Sequence, residues 1–309
     1  MNADVVSKPS GESGNFSYKS GIISDLFALT KPTITLLVAV TVIPSLLLAT
    51  WPASPDFMKS LAAVLGASLV SASAAVFNQL VESDLDIQMD RTKRRSLACG
   101  RVSPDIGCFF AVLLGLAGLG TLWLWGHWLS ALIGLLGHLF YVVVYTLGLK
   151  KRTEQNIVIG GAAGAVGPLI GWAAVTGEIA WPAWVLFLII FLWTPPHFWA
   201  LALKYEKDYA KAGIPMYPCI HGDHQTRKMM FFYTLSLIPC VLAIAFYPAV
   251  GFLYLILAGV LTAKFCLDAW LLYRSGCNTK TMPFFHFSCF YIFGIFGALA
   301  LDSLFMNRL

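Results

Sequence analysis

The sequence predicts an all-α fold, a polytopic membrane bundle of nine transmembrane helices with its N-terminus inside and its C-terminus outside. Three observations carry this expectation. The chain of 309 residues is 58% hydrophobic and only 12% charged, with mean hydropathy +0.73. A soluble domain carries about a quarter charged residues. The apolar residues fall into nine runs, each near the ~20 residues that span a bilayer as a helix. Lysine and arginine are also distributed unequally between alternate connections.

In chain order, the runs cover residues 32–50, 60–80, 107–125, 129–149, 157–175, 184–203, 229–247, 251–271 and 284–305. A helix satisfies its own backbone polar groups, so a helical bundle is the natural spanning form. The runs occupy most of residues 31–309, read as one membrane domain with no room for a soluble one. Residues 1–30 are polar and mixed in charge, with Asp4, Glu12 and Asp25. They fit neither a secretory signal nor a transit peptide, and are read as a short flexible cytoplasmic tail.

All but three of the 21 lysines and arginines lie in the tail or in alternate connections that would share its side. The exceptions are Lys59 and Arg308, on the other side, and Lys264, within a run. The positive-inside rule then gives the N-in, C-out orientation. Basic clusters also mark nucleic-acid binders. Here orientation plus an anionic substrate accounts for them better, and no nucleic-acid partner is expected. The seven cysteines include no CxxC pair, so no disulfide framework is expected.

The two long inside connections, 81–106 and 204–228, follow the second and sixth runs. That four-helix offset suggests an internal duplication plus a ninth helix. Repeats of this kind are common in transporters as well. The fifth run opens with Gly160, Gly161, Gly164 and Gly167, expected to let helices approach closely. Pro195 and Pro196 remove amide donors within the sixth and should kink it.

After the second run, Asn78, Glu82, Asp86 and Asp90 recur every four residues and share a helix face, while Asp84 points elsewhere. Like charges at this spacing repel. A hard divalent cation would relieve them, and so would pairing with the basic residues that follow. Those are Arg91, Lys93, Arg94, Arg95 and Arg101. Guanidinium forks suit phosphate oxygens, although a membrane anchor needs only the charge. Lys150, Lys151 and Arg152 form another basic group after the fourth run. In the sixth run and its extension, His197, Lys204 and Asp208 differ by only about 20° in direction on a continuous helix. Tyr205 and Tyr209 lie near that face. His138, His197 and His286 fall within runs, and imidazole can ligate haem iron.

Together these motifs resemble the UbiA-type intramembrane prenyltransferase superfamily, which carries acidic motifs after its second and sixth helices. The second motif here has His197 and Lys204 beside Asp208 where most branches are richer in aspartate. That departure, with TPPHFWALALKY, DYAKAGIPMYP and QNIVIGGAAGAVGPLIGW, resembles the haem branch. Glu82 stands where aspartate is usual, and Ser96 where proline is common.

The resemblance implies transfer of a farnesyl group from farnesyl diphosphate to a vinyl group of haem b, with water addition, giving haem O and diphosphate. It implies Mg2+ held by Asn78, Glu82, Asp86 and Asp208. Charge on the departing diphosphate would be offset by Arg91, Arg94, Arg95 and Lys204, with Arg101, Lys150 and Arg152 as further substrate-binding candidates. His197 would orient the acceptor. It also implies a bacterial inner-membrane location, and a downstream haem-modifying enzyme or terminal oxidase assembly as recipient of the product. Two readings compete: prenyl transfer to an aromatic acid, and a transporter using the polar clusters as an ion site.

The charge asymmetry makes a direct prediction. Cysteines introduced at Asp56 and Glu178 should react with an impermeant thiol reagent in intact cells, whereas cysteines at Lys93 and Lys211 should not. Labelling at the latter two positions would reject the orientation.

Overall fold

The computed structural model describes residues 21–306. Nine helices among them are long and apolar enough to cross a membrane: Pro32–Thr50, Phe57–Val81, Pro104–Gly126, Trp128–Leu149, Asn156–Thr176, Trp181–Lys204, Tyr217–Ile244, Phe252–Ser275 and Asn278–Phe305. No strand occurs among the described residues. Local chemistry sets many of the boundaries. Asp56 caps the second span by accepting from the Lys59 amide at 2.8 Å, and Ser103 caps the third. Proline stands in the first turn of the first, third and sixth spans, where its missing N–H costs nothing. The Asp302 carboxylate accepts from the Gly251 and Tyr254 amides and so caps the eighth span from the ninth.

Neighbours in sequence pack as neighbours in space, and the first span closes the bundle against the fifth and ninth. The fifth span is broken around Ala165 into Asn156–Gly164 and Gly167–Thr176. Its glycines do lie at close approaches. A Cβ on Gly160 would sit 2.3 Å from the Tyr145 ring, and one on Gly171 would sit 2.8 Å from the Val42 carbonyl oxygen. Pro195 and Pro196 do not interrupt the sixth helix, which runs unbroken to Lys204. The second half of the fourth span, Phe140–Leu149, is π-helical, and its Thr146 hydroxyl donates to the Tyr141 carbonyl five residues back.

Three sequence expectations need correction here. Residues 22–29, read as part of a flexible tail, form a helix whose Asp25 is buried against Ser96 and Arg101. Ile22, Ile23 and Phe27 remain exposed on it, as on a helix lying at a membrane surface. Residues 1–20 and their share of the tail expectation lie outside the described residues. The seventh helix begins at Tyr217, inside the segment read as a loop, and Gly222 (φ 74°) bends it. Its polar first turns lie beyond the apolar run, which is why hydropathy alone missed them. Finally, the sixth helix stops at Lys204, Tyr205 leaves helical conformation, and a separate short helix spans Glu206–Lys211. A matching break at Glu82 separates the second span from the short helix Ser83–Gln88. The same device at the same place in both halves accords with the four-helix repeat.

The basic connections gather at one end of the bundle. Glu82 meets Lys150, Arg91 meets Tyr209, His221 faces Glu154 and Arg227 donates to Asn278. The opposite end is aromatic, with Trp172 and Trp181 both against Tyr247, as expected of a membrane interface.

Gly171→Leu tests the close packing of the first and fifth spans. The backbone carbonyl cannot yield as a side chain would. The variant should lose about 1–3 kcal/mol, the usual range for overpacking, read as a lower midpoint of thermal unfolding in detergent. Gly164→Ala, where a Cβ meets nothing within 4 Å, should unfold as the parent does.

Candidate active site

The basic end of the bundle opens onto a cavity of about 330 Å³, lined by spans one, two, four, five and six and by the connections after the second, fourth and sixth. Its inner wall is apolar, with Val70, Ala74, Gly134, Ile170 and Ile190 among the lining residues. Its mouth is charged: Lys31, Glu82, Asp86, Arg91, Arg95 and Lys150 all line it, beside Asn78.

The acidic face forms as its spacing predicts. The Glu82 amide donates to the Asn78 carbonyl at 3.0 Å and the Asp86 amide to the Glu82 carbonyl at 2.8 Å. Helical phase therefore survives the break at Glu82, and all three side chains are buried on one side. Asp84 is exposed. Asp90, the fourth position of the series, is exposed too, because the short helix ends at Gln88. It pairs with Lys93, which holds its carboxyl below the usual range.

Each buried acidic-face side chain carries a cationic partner from elsewhere. The Lys31 ammonium donates to Asn78 Oδ1 at 2.8 Å, and Lys150 to Glu82 Oε1 at 2.6 Å. Arg95 Nη1 reaches both Asp86 carboxylate oxygens, at 2.9 and 2.8 Å. A lone buried carboxylate would be very costly, so these pairs are what permit the burial. Positive charge thus already sits on four hard oxygens, from three side chains that converge on one cavity. The described residues contain no group of three or more His, Cys, Asp or Glu placed to hold a metal. Two carboxylates and an amide still fit Mg2+, which commonly takes one or two carboxylates and completes its shell with water and substrate phosphate.

Lys31 was counted in the sequence only as a tail charge. It precedes Pro32 in left-handed conformation (φ 48°, ψ 67°), which costs a non-glycine residue about 1–3 kcal/mol. The twist turns its side chain onto Asn78. Burial, and then the charges of Arg95 and Lys150, push its amine down to about 7. An arriving anion would relieve that depression. Tyr141 and Tyr145 line the cavity as well. With Lys150 they recur at intervals of four and five, the pitch of the π-helical segment that carries them. That spacing was legible in the sequence but does not fit an α-helical template.

Other candidates are dispersed. His197 is buried and lines the cavity, its ring between Trp193 and Phe285 at 4.3 and 4.6 Å. Its Nδ1 lies 2.6 Å from Ser288 Oγ, whose own proton is donated to the Phe285 carbonyl. Nδ1 is therefore the protonated nitrogen, and Nε2 keeps its lone pair. His138, also lining the cavity, follows the same logic with Ser73, whose hydroxyl donates to the Ala111 carbonyl. His286 is exposed.

Helical phase continues through Tyr205, whose amide donates to the Leu201 carbonyl and whose carbonyl accepts from the Tyr209 amide, both at 3.1 Å, but of His197, Lys204 and Asp208 only His197 lines the cavity. Lys204 is exposed at the helix end, Asp208 sits half-buried on the next helix, and neither lines the cavity. Arg94 and Arg152 are exposed and outside it too. Arg101 does not line the cavity either. It donates to both Asp25 carboxylate oxygens, to Ser96 Oγ and to the Arg94 carbonyl, and so ties the surface helix to the 91–101 connection. Ser96 donates to Asp25 at 2.7 Å, a bond that a proline there could not make.

The UbiA prenyltransferase family model matches residues 37–295. A protoheme IX farnesyltransferase of Gloeobacter violaceus is 43% identical over 291 residues, covering 93% of this chain and 94% of its own. One of Methylibium petroleiphilum is 44% identical over 277 residues, covering 89% of each. Among solved structures, a digeranylgeranylglyceryl phosphate synthase superposes with TM-score 0.75 at 18% identity, covering 91% of this chain and 98% of its own. A UbiA homologue from Archaeoglobus fulgidus bound to DMAPP and Mg2+ superposes with TM-score 0.67 at 15% identity, covering 90% and 100%.

The pairing scheme predicts a non-additive response. Lys150→Met should strand the Glu82 carboxylate and cost about 3–5 kcal/mol of stability, the usual result of breaking a buried pair. Adding Glu82→Gln should restore most of that loss. Two independent, additive losses in thermal unfolding would show that the pair is not coupled.

Proposed function

This chain belongs to the UbiA prenyltransferase family, and from that premise we propose that it farnesylates haem b, giving haem O and diphosphate. The observation that carries the reading is the polarity of the cavity: paired carboxylates and cations at its mouth, apolar and aromatic walls behind. A prenyl diphosphate has the same polarity. Protoheme IX farnesyltransferases about 43% identical over nearly the whole chain supply the acceptor.

Asn78, Glu82 and Asp86 would hold Mg2+, with Asp208 outside the cavity lining left out of the set. Bound there, the metal supplies Lewis-acid charge to the diphosphate. Lys31, Lys150 and Arg95 are poised on the same three side chains, and as the anion arrives they turn to its oxygens. Cationic donors placed where negative charge develops are a large source of rate enhancement. The C1–O bond of the farnesyl group breaks and its electron pair leaves with the diphosphate. Tyr141 and Tyr145 flank the cavity with aromatic faces, which tolerate the allylic cation. The haem vinyl group supplies the electrons of the new C–C bond. Water adds to the resulting benzylic-type cation and a proton is lost, leaving a hydroxyethylfarnesyl substituent. The apolar walls keep water from the farnesyl cation before capture. The Nε2 lone pair of His197 orients the acceptor, by ligating its iron or by accepting from a water on that iron.

The multi-pass bundle would sit in a bacterial inner membrane, mouth and N-terminus on the cytoplasmic side, as the positive-inside asymmetry supports. A downstream haem-modifying enzyme or terminal oxidase assembly would receive the product.

Purified protein supplied with Mg2+, farnesyl diphosphate and haem b should yield hydroxyethylfarnesyl haem by mass analysis, with diphosphate released in step. Glu82→Ala and Asp86→Ala should each lower turnover by at least about a hundredfold, and Asp84→Ala far less. Product with 4-hydroxybenzoate but none with haem would overturn the acceptor while leaving prenyl transfer standing. Full activity of Asp86→Ala in chelator would remove the metal role.

A further inference from the structure

Four cationic side chains line the cavity: Lys31, Arg91, Arg95 and Lys150. Three of them are engaged with the acidic face, as described. Arg91 is not. It makes no ion pair with any carboxylate among the described residues. Instead its Nη2 donates to the Tyr209 hydroxyl at 3.2 Å, and its guanidinium carbon lies 5.9 Å from the centroids of both the Tyr205 and Tyr209 rings. Those tyrosines belong to the segment after the sixth span, while Lys150 and Lys31 come from other walls. The head group is thus drawn from the acidic face towards the second-motif wall. Phenol and ring faces hold a guanidinium in place without neutralising it. Its full charge and remaining N–H donors stay available to a ligand.

The acceptor has a polarity that suits this placement. In haem b the vinyl groups and the two propionates lie on opposite edges of one rigid disc. The reacting vinyl must meet the farnesyl C1 beside Glu82 and Asp86, where the diphosphate sits. The propionates then lie across the mouth, away from the acidic face that would repel them. A guanidinium held on the far wall meets them there, and its planar fork matches a carboxylate.

We propose that Arg91, clamped by Tyr205 and Tyr209, binds a propionate carboxylate of the haem and so selects the edge of the macrocycle that faces the prenyl donor. This rests on the farnesyl transfer to haem set out above. It gives Arg91 a different task from Arg95, four residues further on, which the sequence pattern grouped with it as a diphosphate ligand.

The test compares haem b with haem b dimethyl ester, whose propionates carry no charge, in detergent-solubilised full-length protein. Binding is followed through the Soret band, and turnover by product mass analysis with Mg2+ and farnesyl diphosphate. The parent should bind the ester about tenfold or more weakly than haem b, as for loss of a charge-assisted contact. Arg91→Leu should bind haem b as weakly as the parent binds the ester, should no longer distinguish the two, and should keep its KM for farnesyl diphosphate within about twofold. Arg91→Lys should recover part of the discrimination, and Tyr209→Phe should lose part. Equal affinity of the parent for both porphyrins overturns the proposal without any variant. So does a raised KM for farnesyl diphosphate in Arg91→Leu with haem binding unchanged, which would make Arg91 a diphosphate ligand. If the parent discriminates between the porphyrins yet farnesylates neither, the reaction assigned above fails while the propionate contact stands.

Discussion

Two carboxylates held out of water at a membrane boundary are the constraint around which this chain is arranged. Glu82 and Asp86 are both about 4% exposed, a state that is prohibitively costly for an isolated anion. Lys150 comes from the end of the fourth span, Arg95 from the connection after the second, and Lys31 from the start of the first. Bringing those elements to one point draws the basic connections together at one end of the bundle. Without the pairing, helix packing alone would give no reason for these segments to meet.

The same arrangement gathers much of the molecule's irregular backbone around the site. Lys31 adopts a left-handed backbone. The fourth span turns π-helical over the stretch that carries Tyr141, Tyr145 and Thr146, and Asn78 Nδ2 donates to that threonine at 3.3 Å. The fifth span breaks between Gly164 and Gly167, and the second and sixth break at Glu82 and Tyr205. Irregular backbone at membrane depth is tolerated where it is buried in protein or lines a cavity. Most of these departures border the same space. In the proposed reaction, cations that neutralise carboxylates in the free protein would become donors to the diphosphate, so one cluster would serve both folding and chemistry.

The cavity also separates two kinds of positive charge. Lys31, Arg95 and Lys150 are bound to the acidic face, and in the proposed reaction would change partner when an anion or a metal competes. Arg91 is held by aromatic rings and keeps its charge uncompensated. Arg101 is withdrawn altogether into a clamp on Asp25. These five residues would count alike towards membrane orientation, yet they occupy three different environments.

Much of this was legible along the chain. Hydropathy determined the helical class, the number of spans and most of their centres, because burial in lipid depends on composition over a window of residues. The four-residue spacing determined that Asn78, Glu82 and Asp86 share a face, because direction within one helix follows from its pitch. What lies beyond a helix end did not follow. Helical phase runs through Tyr205, yet Lys204 and Asp208 fall beyond the cavity that His197 lines, and a polar extension lengthened the seventh helix. Pairing between helices was likewise a tertiary outcome. Which cation reaches which oxygen depends on the distances between walls, and on a backbone twist at Lys31 that no local pattern requires. The sequence determined the donors and their order; only packing decided that Arg101 serves Asp25 and that Lys31 reaches Asn78.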